Sequence, residues 1–137
     1  MSVETIGTGI KTTITGVTGL KRVYAPNEMP GSINELPCAV VMHSGTEYGL
    51  AMGGVGAKHE FRIMVMATTQ DHAGAFDKVL PFLEAFGGSS IFAALLADRT
   101  LGSSADDFTL VSNEGQSMIT WGGIQYLGTA FNLEVYE

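Results

Sequence analysis

Three histidines are the side chains of this sequence best suited to acid–base or metal chemistry, and each of them stands alone. His43, His59 and His72 form no His-x3-His or Glu-x-x-His spacing, and the single cysteine, Cys38, leaves no Cys-x2-Cys pair. A credible zinc site needs at least two ligands at such a spacing. The sequence therefore predicts no metal site, and we expect no cofactor.

Two short motifs resemble catalytic sequences but lack the context that catalysis needs. Asp71-His72 joins an acid to a base, yet adjacent residues on a helix point in different directions, and Asp71 also suits a helix N-cap. The glycine-rich run Gly53–Gly56 precedes a predicted strand and has no Lys-Ser/Thr after it, so it does not predict a phosphate cradle. We expect a protein that is not an enzyme. The remaining enzymatic hypothesis is a site assembled across subunits.

The chain carries few indications of compartment. Cys38 lies in the apolar segment 36–41, so we interpret it as a buried core residue, and a lone cysteine indicates a reducing compartment. No window of about 18 residues is apolar enough to cross a bilayer. The first residues show neither a basic nor an apolar leader region, so we predict no signal peptide and no membrane partner.

The spacing of apolar residues predicts the elements that position these side chains. The predicted order is a helix at 3–17, strands at 22–25, 38–43 and 58–67, a helix from Asp71 that ends at 87–88, a short helix at 90–98, and two strands between Phe108 and Glu137. Runs of strands on both sides of a helical layer predict one α+β domain over residues 1–137. Its sheet is expected to be mostly antiparallel, with the helices packed on one face.

Several of these elements have a predicted buried side. The first helix is expected to carry one apolar stripe: Val3, Ile6, Ile10, Ile14 and Val17. The helix from Asp71 is expected to bury Phe76, Val79, Leu80, Leu83 and Phe86. The short helix is expected to be built on Ile91, Phe92, Leu95 and Leu96. Alternation in the last strand predicts five side chains on one face of the sheet: Leu127, Thr129, Phe131, Leu133 and Val135. The other face is expected to carry Asn132, Glu134 and Tyr136.

The composition indicates a surface that something else covers. Charged residues make up 15% of the chain, against about 25% in a typical soluble domain. So few charges predict contact with another copy or with a partner. The net charge of −7 argues against specific nucleic-acid binding, which needs a basic patch. From Leu101 onward there is no Lys or Arg, against five acids: Asp106, Asp107, Glu114, Glu134 and Glu137.

A glycine-rich segment at about 44–57 stands out as a candidate arm. It contains five glycines interspersed with apolar side chains: Tyr48, Leu50, Met52 and Val55. We consider it too long for a tight hairpin and too apolar for a solvated loop. One interpretation is a disordered connector. The other is a flexible arm that becomes ordered when it docks on a neighbouring subunit or a partner ring.

The candidate interface residues follow from these observations. His59 alternates with Phe61 and Ile63, which indicates the end of a sheet or an interface rather than a catalytic base. The arm contributes its apolar side chains, and the acidic turn before the closing strands contributes two carboxylates. The full set is Tyr48, Leu50, Met52, Val55, His59, Asp106 and Asp107.

Segments along nearly the whole chain also carry a resemblance to one protein family. They are the N-terminal amphipathic helix, Lys21–Pro26, Leu36–Val41, His59–Ala67, Leu80–Leu83, Ala94–Gly102 and Gly123–Val135. In pattern and length they resemble the small tail-terminator (tail-completion) and neck proteins of long-tailed bacteriophages. No functional residue is carried over, because the family pattern fixes positions by shape rather than by particular side chains.

The resemblance implies a structural virion protein. Such a subunit forms a hexameric ring that caps the tail tube, ends its polymerisation and docks to the head connector or stopper protein. The resemblance also implies no cofactor, DNA that passes through the lumen without specific binding, and a place at the head-proximal end of the tail after assembly in the host cytoplasm. The alternatives are a head-side neck or connector subunit, a small-molecule-binding or enzymatic α+β domain, and a regulatory interaction domain.

Overall fold

A computed structural model describes residues 3–28, 31, 33, 35–49, 56–69, 80–84, 87–98, 101 and 107–136. The elements in chain order are α1 (Val3–Ile14), β1 (Arg22–Tyr24), a 3-10 helix (Pro26–Glu28), β2 (Cys38–Tyr48), β3 (Ala57–Thr69), α2 (Ile91–Leu96), β4 (Asp107–Asn113), β5 (Ser117–Trp121) and β6 (Ile124–Tyr136). Residues 80–83 are also helical. The structure describes no residue from 70 to 79. Most of the helix predicted from Asp71 falls there, so that part of the prediction lies outside the described residues.

Six strands form one sheet in the order β1-β2-β3-β6-β4, with β5 also paired to β6. β1 runs parallel to β2, whereas the other pairs are antiparallel. The predicted α+β class is confirmed, but the sheet is mixed rather than mostly antiparallel. The physical reason is that a parallel pair needs a long crossover. The proline-containing segment between Tyr24 and Cys38 is this crossover. The residue pattern of β1 does not show whether the strand runs parallel or antiparallel to its neighbour.

α1 is held to the sheet by one buried stripe, as its spacing predicted. Ile6, Ile10 and Ile14 are fully buried. A Cβ added at Gly7 would lie 2.5 Å from the Pro26 Cγ, so α1 approaches the 3-10 helix at a distance that only glycine permits. Threonines within and just after α1 donate their hydroxyls to carbonyls four residues earlier, for example Thr13 to Gly9 at 2.8 Å. The helix therefore depends on packing more than on propensity.

The sheet is covered on both faces, and the two faces have different cores. We call the face packed by α1 and α2 the helical face and the opposite one the outer face. The helical face buries one large cluster, including Ala39, Val41, Phe61, Ile63, Val65, Phe131, Leu133 and Val135. The outer face buries a smaller one: Tyr24, Cys38, Val40, Met64, Met66, Ile119, Tyr126 and Ala130. Strict alternation along β3 supplies both clusters, because successive side chains point to opposite faces.

The closing segment forms three strands where the sequence predicted two. β4 and β5 both pair with β6 along the same side, and residues 114–116 interrupt them. The Glu114 N–H still donates to the Ala130 carbonyl at 2.9 Å, so the two strands act as one interrupted edge. The predicted alternation holds in the second half of β6, where Asn132, Glu134 and Tyr136 are partly exposed between buried neighbours.

In the helical layer, two of the predicted buried stripes include a residue that is exposed. Leu80 is 44% exposed, whereas Phe82, which the predicted stripe left out, is 3% exposed. In α2 the buried residues are Ile91 and Leu95, and Leu96 is exposed. α2 begins where Ser90 caps it, accepting from the Ala93 N–H at 3.0 Å. A helix this short can fully bury only one narrow stripe, so Leu96 is left exposed while Ala94 packs partly against the core.

Candidate functional site

Two histidines and a threonine form the one cluster of chemically versatile side chains that the described residues bring together around a shared hydroxyl. The Thr46 Oγ1 lies 2.8 Å from the His43 Nε2 and 2.8 Å from the His59 Nδ1. The His43 ring also meets Phe61 edge-on, with 5.3 Å between ring centroids. Because a hydroxyl has one proton, it donates to one imidazole nitrogen and accepts from the other when both rings are neutral.

A β-bulge brings these residues onto one face. Register shifts between His43 and Gly45, so that Thr46 pairs directly with His59 on β3. In a regular strand, residues 43 and 46 would point to opposite faces, since side chains alternate with a period of two. The bulge therefore moves the Thr46 hydroxyl to the side of both rings. Sequence reasoning missed Thr46 because nothing in the pattern of β2 marks the extra residue.

The burial of His59 limits what this cluster can do. His59 is 3% exposed, so it lies within its own subunit and not on a surface that a partner could contact directly. No group of three or more His, Cys, Asp and Glu side chains that could hold a metal occurs among the described residues. The geometry is that of a polar connection between β2 and β3, which orders the two strands as they approach the hairpin end.

Replacing Thr46 with valine should therefore lower stability without changing the shape of the side chain. We expect a loss of about 1 kcal/mol in the free energy of unfolding, because the buried His59 ring loses this hydrogen bond, whereas the exposed His43 ring can bond water instead. Thr46→Ser keeps the hydroxyl and should retain most of the stability of the unaltered chain. Urea unfolding of both variants measures the difference; equal losses for serine and valine would show that the hydroxyl bridge contributes nothing.

The remaining predicted interface residues lie in two groups. Tyr48 ends β2 and is 79% exposed, and Asp107 begins β4 with its carboxylate accepting from the Phe108 N–H at 2.8 Å. Register places both at the same end of the sheet, because Asp107 pairs with Tyr136 and Tyr136 with Lys58, next to the Tyr48–Ala57 pair. Four predicted residues lie outside the described chain: Leu50, Met52, Val55 and Asp106.

The glycine-rich arm is shorter than its predicted bounds of about 44–57. β2 continues to Tyr48 and β3 begins at Ala57, and these two residues pair. The Gly49 N–H donates to the Gly56 carbonyl at 3.0 Å beyond that pair. The connection between the strands is therefore 49–56, and the docking of an arm on a neighbour stays a prediction for the part between Gly49 and Gly56.

Cys38 occupies the place that its apolar surroundings predicted. It is fully buried in the cluster on the outer face, beside Val40 and Met66. Burial raises the pKa of its thiol to about 11, because the thiolate would lose its hydration there. A thiol in this setting is a core side chain rather than a nucleophile.

A row of charged side chains covers the part of the outer face that the apolar cluster leaves open. The Lys58 ammonium lies 3.1 Å from the Glu47 carboxylate and 3.6 Å from that of Glu134. The bond to Glu47 raises the pKa of Lys58 above its ordinary value. Farther along, the Arg62 guanidinium lies 3.0 Å from the Glu114 carboxylate. Both cations on this part of the face are thus matched by acids.

The same part of the face contains a shallow groove of about 310 Å³. Its polar lining includes Ser44, Glu60, Ser112, Asn132 and Glu134. Glu60 and Glu134 are direct neighbours in the β3–β6 register, and like charges in that position are unfavourable. The groove is consequently acidic, which agrees with the net charge of the chain.

Two exposed apolar side chains lie on β4 and β5, the strands at the outer edge of the sheet, and one of them, Val111, also lines this groove. We use the term outer edge for the side of β4 and β5 that faces away from β6. Val111 on β4 is 52% exposed and Met118 on β5 is 44% exposed. Val111 is the extra residue of a bulge, since Leu110 and Ser112 take successive partners on β6. Sequence reasoning missed both residues; the absence of cations after Leu101 was its only indication that this region differs.

No protein-family model matches the chain, and no curated protein sequence matches it. Within the part of the chain that the structure describes, no helix has both the length and the apolar character needed to cross a bilayer.

Proposed function

We propose that this chain is a structural subunit of a long-tailed bacteriophage, of the tail-terminator type. In this proposal, copies of the chain assemble into a hexameric ring at the head-proximal end of the tail. The ring caps the tail tube, ends its polymerisation and offers a face to the head connector. The resemblance in pattern and length supports the family, and the surface of the fold supports self-assembly.

The observation that carries the proposal is the outer edge of the sheet. β4 and β5 lie at the end of the strand order, and no other described strand pairs with their outer side. These strands expose Val111 beside the groove of the outer face and Met118 beside its partner Leu127, and charged residues make up only 15% of the chain. Edge strands with exposed apolar side chains are association surfaces unless something covers them. A ring subunit needs such a surface at each of its two contacts.

The charge distribution supports passage of DNA rather than binding of DNA. Two described cations of the outer face, Lys58 and Arg62, are engaged by carboxylates. The acidic groove beside them offers no counter-charge to a phosphate backbone. An acidic lumen would repel DNA and let it slide, which is what a conduit requires.

Negative-stain microscopy and light scattering of the purified chain test self-assembly. We expect particles of one size with a central hole, and a mass that is a small multiple of 14.5 kDa, six in the favoured arrangement. A second assay adds the chain to polymerising tail-tube protein of the encoding phage. There we expect the tubes to stop growing, because the ring occupies the end to which new subunits add.

A chain that stays monomeric at all concentrations and leaves tube length unchanged would contradict the proposal. A ring that ignores tail tubes but binds the head connector would instead identify the head-side neck alternative. The two assays separate these outcomes because ring formation and tube binding are measured independently. An unrelated acidic protein of similar mass serves as the control for non-specific effects on tube growth.

A further inference from the structure

An open pocket of about 380 Å³ lies at the end of the sheet where β1 and β2 begin and β3 ends. Its described lining includes Ala67 and Thr68 on β3, Leu36 and Pro37 before β2, and Lys21 before β1. We call it the loop pocket. Its volume is in the range of sites that hold small molecules.

The walls of the loop pocket are tied to one another by hydrogen bonds. The Thr18 N–H donates to the Gly88 carbonyl at 2.8 Å, and the Ser89 hydroxyl donates to the Thr18 carbonyl at 2.8 Å. On the other side, the Lys21 N–H donates to the Pro37 carbonyl at 2.8 Å. The loop after α1 is thereby fixed to both neighbouring walls. A pocket that is already formed costs a ligand less free energy to enter.

Thr68 is the buried polar group that points to a ligand. It is 5% exposed, and its hydroxyl forms no hydrogen bond with a described residue. Thr68 pairs with Leu127, which packs with Ala67 and Leu83, so the Thr68 side chain lies on the helical face and lines the pocket. A buried hydroxyl without a partner is unfavourable, and a polar ligand atom in the pocket would supply the partner.

Lys21 is the charged residue of the described lining. It forms no ion pair with a described residue. Alternation along β1 places Lys21 on the helical face with the buried Val23, and Arg22 on the outer face, where its guanidinium lies 5.0 Å from the centre of the Tyr24 ring. Of these two adjacent cations, Lys21 is therefore the one directed to the side of the pocket.

Lys21 and Thr68 lie on the two sides of the same wall. The register pairs Arg22 with Cys38 and Cys38 with Met66, so the residues just beyond these pairs stand side by side on three neighbouring chain segments. Two strand spacings separate Lys21 from Thr68, which is roughly 10 Å between backbones. A lysine side chain and a carboxylate together bridge that distance.

The rest of the described lining is largely apolar. Leu36, Pro37 and Ala67 lie on the sheet side, and Pro81 and Phe82 lie on the helical side. A ligand matched to one cation, one free hydroxyl and apolar walls carries a single acid group on an apolar body. The net charge of −7 disfavours loose association of anions with the rest of the chain, so such an acid depends on Lys21.

We propose that the loop pocket binds a small carboxylic acid with an apolar body. Lys21 pairs with the carboxylate, the Thr68 hydroxyl donates to one of its oxygens, and the side chain of Phe82 contacts the apolar part. The inference goes beyond the proposed function and does not depend on assembly of the ring.

Ligand-observed saturation-transfer NMR tests the inference, with hexanoate as the probe and hexanamide as its neutral counterpart. The method serves equally for a monomer and for a ring. We expect hexanoate to bind, and Lys21→Met to weaken its binding about three-fold or more, because the ion pair is lost while the aliphatic stem remains. Arg22→Met is the matched control and should leave binding within about two-fold, since Arg22 is directed to the other face.

Thr68→Val is the second arm, because valine keeps the shape of threonine and lacks the hydroxyl. We expect it also to weaken binding of hexanoate about three-fold or more. The Tm of the free variant should not fall, because the hydroxyl has no hydrogen bond to lose within the described chain. A lower Tm with unchanged binding would identify a structural hydroxyl and overturn this part of the site.

Three other outcomes would overturn the inference: no transfer of saturation to hexanoate, equal affinity for hexanoate and hexanamide, and equal effects of Lys21→Met and Arg22→Met. Each of them leaves the proposed function standing, because ring formation and tube capping are measured separately. Hexanoate binding by a chain that forms no ring and caps no tubes supports the inference while the proposed function fails. That result would favour the alternative of a small-molecule-binding α+β domain.

Discussion

Replacing Gly128 with alanine is expected to lower the free energy of unfolding by about 3 kcal/mol or more. A Cβ built at Gly128 would lie 2.0 Å from the Val65 carbonyl oxygen and 3.1 Å from the Met66 Cα. These are backbone atoms of the neighbouring strand, so no side-chain rotation relieves the overlap. The β3 and β6 strands would have to separate where a register shift between Met66 and Thr68 already crowds them.

The matched control is Gly45→Ala, which lies at the bulge of β2. Its added Cβ would meet only the Glu60 carboxylate, at an ordinary 3.6 Å. We expect a change within about 1 kcal/mol there. Thermal unfolding measures both, and a loss of about 3 kcal/mol corresponds to a fall in Tm on the order of 10 °C for a domain of this size. Similar melting of the two variants would show that the strands at Gly128 accommodate a methyl group.

Replacing Phe61 with alanine is expected to cost about 3–5 kcal/mol, the usual range for a fully buried aromatic side chain. Phe61 is 1% exposed and belongs to the cluster on the helical face. The Cβ position of Gly7 lies 3.6 Å from its ring, so the ring sits directly beneath α1. Its removal leaves a cavity between the sheet and α1, and it takes away the edge-on contact with His43.

Two comparisons sharpen the Phe61 measurement. Phe61→Leu retains most of the volume and should cost less than half as much as alanine. Val111→Ala, at an exposed position, should change stability by about 0.5 kcal/mol or less. Urea denaturation is suitable because its midpoint and slope are determined separately. A loss below about 1 kcal/mol for Phe61→Ala would mean that α1 collapses onto the sheet and fills the cavity.

The exposure of two candidate residues could be predicted from the sequence, whereas contacts that depend on a β-bulge could not. The sequence predicts Tyr48 and Asp107 as interface candidates; the structure places both exposed at one end of the sheet, and their role at an interface stays a prediction. The sequence predicts His59 at a sheet end or an interface; it lies near the start of β3, and its contact with Thr46 was not predicted. A bulge before Thr46 produced that contact, and an extra residue in a strand leaves no mark in hydrophobic spacing.

The outer edge shows the same division. The sequence indicated an acidic closing segment and a shortage of charges, and these properties agree with an association surface. It did not indicate which strand ends the sheet or that Val111 and Met118 project there. Strand order is decided by pairing between segments far apart in the chain, so local pattern does not contain it.

The sequence by itself determined the α+β class, the stripe of α1, the alternation of β3 and of the second half of β6, and the burial of Cys38. These follow from periodicity, because side chains on a helix or strand repeat at fixed intervals and the apolar ones must leave water. Only the tertiary structure decided the parallel pairing of β1 with β2, the bridge from His43 through Thr46 to His59, and the exposed outer edge. Each of those depends on direction, register or strand order, which long-range backbone hydrogen bonds select and which side-chain periodicity leaves undetermined.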